Sequence, residues 1–86
     1  MPDVPQASFS NFLGGLASQA LMQFGEIPNP LTGTRECNLD YARYTVQLLE
    51  VLELKTRGNR TAEEEQYLSG MLSDFRKRLA GGLQSG

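Results

Sequence analysis

Three groups of residues carry side chains able to do chemistry. Cys37 follows Arg35 and Glu36 and precedes a helix start at Asn38. A neighbouring cation and a helix N-terminus both favour a thiolate, so a nucleophilic cysteine is conceivable. With no histidine in the chain, no imidazole base is available to it. A small, partly covered residue leading into a helix is the simpler reading of Cys37. Glu63-Glu64-Glu65 could in principle hold a hard cation or supply acid–base carboxylates. Consecutive helical residues point in different directions, so the three do not converge on one ligand. They fit better as a solvated helix start facing the positive end of the dipole. Arg76-Lys77-Arg78 could touch a phosphate, but at the far end of the same helix it offsets the negative pole. Within helices, Asp74 can pair with Arg78 and Glu53 with Arg57, each at i, i+4. There is no phosphate-binding glycine loop, metal-ligand cluster or nucleophile motif. The sequence therefore assigns no catalytic residue, metal or cofactor and reads as a protein that is not an enzyme.

Chemistry of recognition is better represented. Tyr41 and Tyr44 pair apolar rings with hydroxyls that need partners, as interface tyrosines do. The segment Glu26-Ile27-Pro28-Asn29-Pro30, followed by Leu31 and then Thr32-Gly33, is a candidate recognition loop on a helical scaffold. It could equally serve as a strap across the helix ends.

Periodicity and capping signals predict the elements that position these groups. The chain is all-α, with helices at about 9–24, 39–57 and 62–80 in one domain over 8–80. A flexible arm is expected at 1–7 and a flexible tail at 81–86. Ser8 or Ser10 can cap the first helix, whose apolar face runs Phe9, Phe12, Leu13, Leu16, Ala20 and Phe24. Gly25 suits the left-handed position that ends it. Residues 26–37 form a long connector in which Pro28 and Pro30 hold the chain extended. At roughly 3.3 Å per residue it could run the length of a helix, so the first two helices need not be an antiparallel hairpin. Asn38 caps the second helix, with Asp40 in its first turn. That helix reaches about Arg57 and stops at Gly58. The turn Arg57–Arg60 makes helices two and three antiparallel. Thr61 and Glu64 form a capping box for the third, and Gly81-Gly82 ends it.

The three helices differ in how much surface they must hide. Helix three has an apolar stripe about 100° wide: Leu68, Met71, Leu72, Phe75 and Leu79. On helix two, Tyr41, Ala42, Tyr44, Thr45, Val46, Leu48, Leu49, Val51 and Leu52 cover roughly 220°. From Val4 to Gly25 there are 22 residues without a charge, in a chain that is otherwise 21% charged overall. One narrow helix cannot cover two wide ones, and the excess apolar surface predicts an interface. The candidate interface combines Ser10, Gly14, Ala17, Ser18 and Leu21 of helix one with Tyr41, Tyr44, Leu48 and Val51 of helix two. Small residues at Ser10, Gly14 and Ser18 would allow close backbone approach.

A chain of 86 residues with a single cysteine and no histidine has neither an internal disulfide nor an ordinary zinc site to support its small core. Oligomerisation is the remaining device, most simply a homodimer. A net charge of −2 gives no footprint for nucleic acid. No basic segment precedes the uncharged run, and Ser10, Asn11, Ser18, Gln19 and Gln23 interrupt it, which argues against a signal peptide or a membrane span. A cytoplasmic protein is expected.

Several runs of residues resemble a known family. They are Phe9-Ser10-Asn11-Phe12-Leu13, Leu16-Ala17-Ser18-Gln19-Ala20-Leu21 and Gly25-Glu26-Ile27-Pro28-Asn29-Pro30 with Thr32-Gly33. The likeness continues at Asn38-Leu39, Ala42, Leu48-Leu49, Lys55-Thr56, Gly58-Asn59 and Thr61 with Glu63-Glu64-Glu65. Together they resemble a small bacterial family, the domain of unknown function 1844, over about residues 9–79. The resemblance implies a compact helical protein and brings no catalytic residues; Cys37 is not part of it. The function expected from all of this is protein–protein interaction or assembly, as a homo-oligomer or an accessory subunit of a larger complex. Peripheral membrane attachment through helix one is the alternative, weakened by the lack of a Lys/Arg-rich face. A small enzyme using the 26–37 connector as a lid ranks below it.

Overall fold

Helix caps divide the chain into three α-helices, and they lie where hydrogen-bonding side chains meet orphan backbone amides. The computed structural model describes residues 4–84. Helix α1 spans Phe9–Gln23, α2 spans Leu39–Lys55 and α3 spans Ala62–Gln84. Ser8 caps α1 by accepting from the Asn11 amide at 3.0 Å. Asn38 caps α2 by accepting from the Tyr41 amide at 3.2 Å. At α3, Thr61 Oγ1 accepts from the Glu64 amide at 3.1 Å, while Glu64 Oε1 accepts from the Thr61 amide at 2.8 Å. The capping box is thus complete, satisfying two orphan donors reciprocally.

Val4 to Ser8 have no regular secondary structure and are exposed. Met1, Pro2 and Asp3 of the expected arm, and Ser85 and Gly86 of the expected tail, lie outside the described residues. The third helix does not stop at Gly81-Gly82; it continues to Gln84. Glycine ends a helix by turning left-handed, and among the described residues only Gly25, Gly33 and Gly58 have positive φ. Gly81 is not among them, and the helix runs on through it.

The connector also departs from the extended strap that its prolines suggest. Its ends meet: the Asn38 amide donates to the Gln23 carbonyl at 2.7 Å. Between them Asn29 acts as the hub of a compact loop. Its carbonyl accepts from Gly33 N at 2.7 Å, its side chain accepts from Leu31 N at 2.8 Å, and its amide donates to Thr34 O at 2.8 Å. Gly25 at φ +81° and Gly33 at φ +71° supply the two left-handed turns. Pro28 and Pro30 fix the chain on either side of Asn29, so they build a reversal instead of a strut. With its ends together, the loop makes α1 and α2 an antiparallel pair. Gln19 and Gln23 of α1 both reach Thr45 of α2.

Helix α3 returns antiparallel to α2 and so runs parallel to α1. Phe24 stacks on Phe75 with ring centroids 5.8 Å apart. The core draws Leu13 and Ala20 from α1, Ala42, Thr45, Val46 and Leu49 from α2, and Leu68, Met71, Leu72 and Phe75 from α3. Helix α2 packs along both of the others, whereas α1 and α3 share the fewest contacts. The result is a flattened body of 38 × 38 × 16 Å.

One buried residue of the core is polar. Thr45, fully buried, donates to Gln23 Oε1 at 2.6 Å and accepts from Gln19 Nε2 at 3.4 Å. Thr45→Val strands those amides at the α1–α2 seam, and urea unfolding should show a loss of about 1–3 kcal/mol. Gly58→Ala, at φ +86° with open space around it, should cost about 1 kcal/mol. Gly25→Ala, at φ +81°, should cost a similar amount, since its new methyl meets Cys37 Cβ at an ordinary contact distance of 3.4 Å.

Candidate functional site

The apolar circumference of α2 divides into two arcs. One, comprising Ala42, Thr45, Val46 and Leu49, is buried between α1 and α3. The other, centred about 120° further round the helix, is Tyr41, Tyr44, Leu48 and Val51. Tyr41 is 61% exposed, Tyr44 54% and Val51 52%, with Leu48 half-buried among them. Exposed Leu54 lies off this arc, between Arg43 and Gln47 on the polar side of the helix. This arc sits on the α1 side of α2, since Thr45 bonds to α1 while Glu50, on the opposite flank, bonds to Arg76 of α3 at 2.8 Å.

Helix α1 extends the patch at one point. Phe12, expected in the core, is 55% exposed. It belongs to the row Phe12, Leu16, Gln19 and Gln23, which runs along α2. In an antiparallel pair Phe12 therefore falls towards the C-terminal half of α2. Phe12 thus adds exposed apolar surface on α1 beside the C-terminal half of α2. Apolar patches of this kind, bordered by polar residues, mark interaction sites. Among the described residues, neither the Tyr41 nor the Tyr44 hydroxyl bonds to another group of the chain.

The small residues of α1 go elsewhere. Gly14 faces α3, where a Cβ would lie 3.3 Å from the Tyr67 hydroxyl. Ala17 and Leu21 pack against the core and line a groove of about 520 Å³ between α1 and α3. Across it stand Tyr67, Gly70, Met71 and Phe75, with Asp74 and Arg78 at one end. Ser10 is half-buried and Ser18 exposed. The residues singled out on α1 therefore do not join Tyr41, Tyr44, Leu48 and Val51 in one surface. Exposed Phe12 does, and its apolar character hid it among the core positions in the sequence.

The connector is tied to α3 through Arg78, which pairs with Glu26 and, at 3.3 Å, with Asp74. Its guanidinium also lies over the Phe75 ring, 5.5 Å from the centroid. The hydrogen bond to Glu26, assisted by Asp74, raises the Arg78 pKa despite its partial burial. Ile27, Pro28 and Pro30 are exposed and Asn29 is half-buried at the hub. Thr32 donates to Glu36 at 2.9 Å, and the loop tip presents Leu31, 92% exposed.

The chemical side chains disperse. Glu64 is committed to its cap and Glu65 to Arg60, at 3.4 Å. Arg76 and Arg78 bond to different elements, and exposed Cys37 lies beside Gly25. Asp74 pairs with Arg78 as expected, but Glu53 offers its carbonyl to Arg60 at 2.6 Å and no Glu53–Arg57 ion pair forms. Among the described residues, no group of three His, Cys, Asp or Glu side chains is placed to hold a metal ion. No described helix is long and apolar enough to cross a membrane.

Gly14→Leu would press its side chain on the Tyr67 hydroxyl, 3.3 Å from a Cβ at that position, so Tyr67 must swing aside. Denaturant unfolding should register a loss of about 1–3 kcal/mol from this overpacking.

No curated protein and no solved structure matches the chain. A family model does, that of Domain of unknown function (DUF1844), over residues 6–80. That span takes in α1, the closed connector, α2 with its exposed arc, and α3 as far as Ala80. The chain belongs to the DUF1844 family.

Proposed function

We propose that this protein is a small helical interaction module. It docks through the outer arc of α2, either to further copies of itself or as an accessory subunit of a larger complex. The observation that carries the reading is the exposure of Tyr41, Tyr44 and Val51 along one arc of α2, with Phe12 exposed on neighbouring α1. Leu49 and Val46, on the other arc of the same helix, are fully or almost fully buried. Aromatic residues supply large apolar area at low entropic cost, which is why they dominate the energetic centres of interfaces. The exposed Leu31 at the tip of the connector offers a second point of contact.

Attachment to a membrane surface is the weaker reading. The polar flank of the α2 arc carries Asp40, Arg43 and Glu50, a mixture of signs and not the basic face that anionic lipid attracts. A cytoplasmic setting suits a chain whose single cysteine is exposed and unpaired.

Photo-crosslinking tests the reading directly. A benzophenone amino acid placed at Tyr44 or Leu48 in living cells should give discrete protein adducts, whereas the same probe at exposed Glu63 should not. Adducts that are absent at all three sites, or equal at all three, would overturn the proposal.

A further inference from the structure

The spacing of the α2 arc specifies what kind of surface fits it. Tyr41, Tyr44, Leu48, Val51 and Lys55 are separated by three, four, three and four residues, the 3–4 alternation of a coiled-coil seam. Such a seam wants another helix of the same kind, and it spans about 21 Å. We infer that the occupant is a second copy of this chain, with the two α2 helices antiparallel across a two-fold axis at Leu48. The inference rests on the interaction reading above and names its partner.

Charge along the seam selects both the partner and its direction. Lys55 closes the seam at one end and is exposed, with no ion pair among the described residues. Asp40 flanks the other end; its carboxylate is 96% exposed and touches only Arg43, at 3.5 Å. The two lie about 22 Å apart along one helix and cannot meet within a chain. Their midpoint falls beside Leu48, the central residue of the seam. An antiparallel two-fold therefore sets Asp40 of each copy against Lys55 of the other, forming the pair twice. A parallel arrangement would set Lys55 against Lys55 and Asp40 against Asp40, opposing like charges.

The available area agrees with this assignment. The exposed parts of Phe12, Tyr41, Tyr44, Leu48 and Val51 offer roughly 500 Å² per chain. Two copies would cover about 1,000 Å², the lower bound for a specific interface. A two-fold contact uses the same patch on both sides and closes, leaving no sticky face for further growth. The dimer should accordingly be reversible, with a dissociation constant of micromolar order.

The test uses the full chain. Native mass measurement and sedimentation across the micromolar range should show a monomer–dimer equilibrium. Leu48→Asp and, at the more exposed position, Tyr44→Glu should each give a monomer with unchanged helical circular dichroism. Single variants D40K and K55E should each weaken the dimer roughly fivefold, and the double variant D40K/K55E should restore it. In a C37S background, L48C should link two copies on oxidation with diamide. Y41C should not, because its mate lies about 21 Å away along the axis. Linking of Y41C as readily as L48C would overturn the antiparallel arrangement. A chain that stays monomeric at high micromolar concentration would overturn the second copy as occupant. If Tyr44 then still crosslinks to a different protein, the interaction reading survives that failure; if it crosslinks to nothing, both fall.

Discussion

Everything in this fold is arranged around one arc of α2, where Ala42, Thr45, Val46 and Leu49 are sealed between two other helices. Helix α2 is the shared neighbour of both, while α1 and α3 meet less extensively. A helix with two neighbours can hide only part of its circumference. The apolar residues of α2 extend beyond that part, so Tyr41, Tyr44 and Val51 remain at the surface. Their exposure follows from geometry: three helices of these lengths provide no fourth wall.

Polar groups decide how the neighbours are seated. Thr45 has to bond inside the core, and Gln23 and Gln19 are the groups of α1 that reach it. An unpaired buried hydroxyl is costly, so this seam has one favoured register. The Asn38 amide adds a bond to the Gln23 carbonyl at the same end of the seam. That bond closes the connector and brings Glu26 within reach of Arg78 on α3. Loop closure, helix pairing and the Phe24–Phe75 stack thus share one end of the molecule. At the opposite end, α1 begins at Phe9 with Phe12 left exposed.

Local signals in the sequence were reliable where the physics is local. Asn38 and the Thr61/Glu64 box were legible as caps because each needs only a side chain within one turn of its backbone target. Gly25 and Gly58 were legible as helix ends for the same reason. The core stripe of α3 could be counted from its spacing, since one face of that helix is clearly apolar. Gly81-Gly82 misled because glycine permits a left-handed turn without requiring one. The connector misled in a different way. Its prolines dictate local extension, but the hydrogen bonds centred on Asn29 and the contact between Gly25 and Cys37 join residues whose proximity no local rule predicts.

The sequence by itself determined that there are three helices, where they are capped, and that α1 and α2 carry more apolar surface than α3 can cover. Those properties depend on composition and on neighbours within a few positions. Only the tertiary structure decided which apolar residues are spared burial. Gly14 and Ala17 turn towards α3, Phe12 turns outward, and the tyrosines of α2 remain uncovered. On a helix with no charged face, periodicity leaves the inward direction undefined. The register of the Thr45 seam and the closed connector supply that direction.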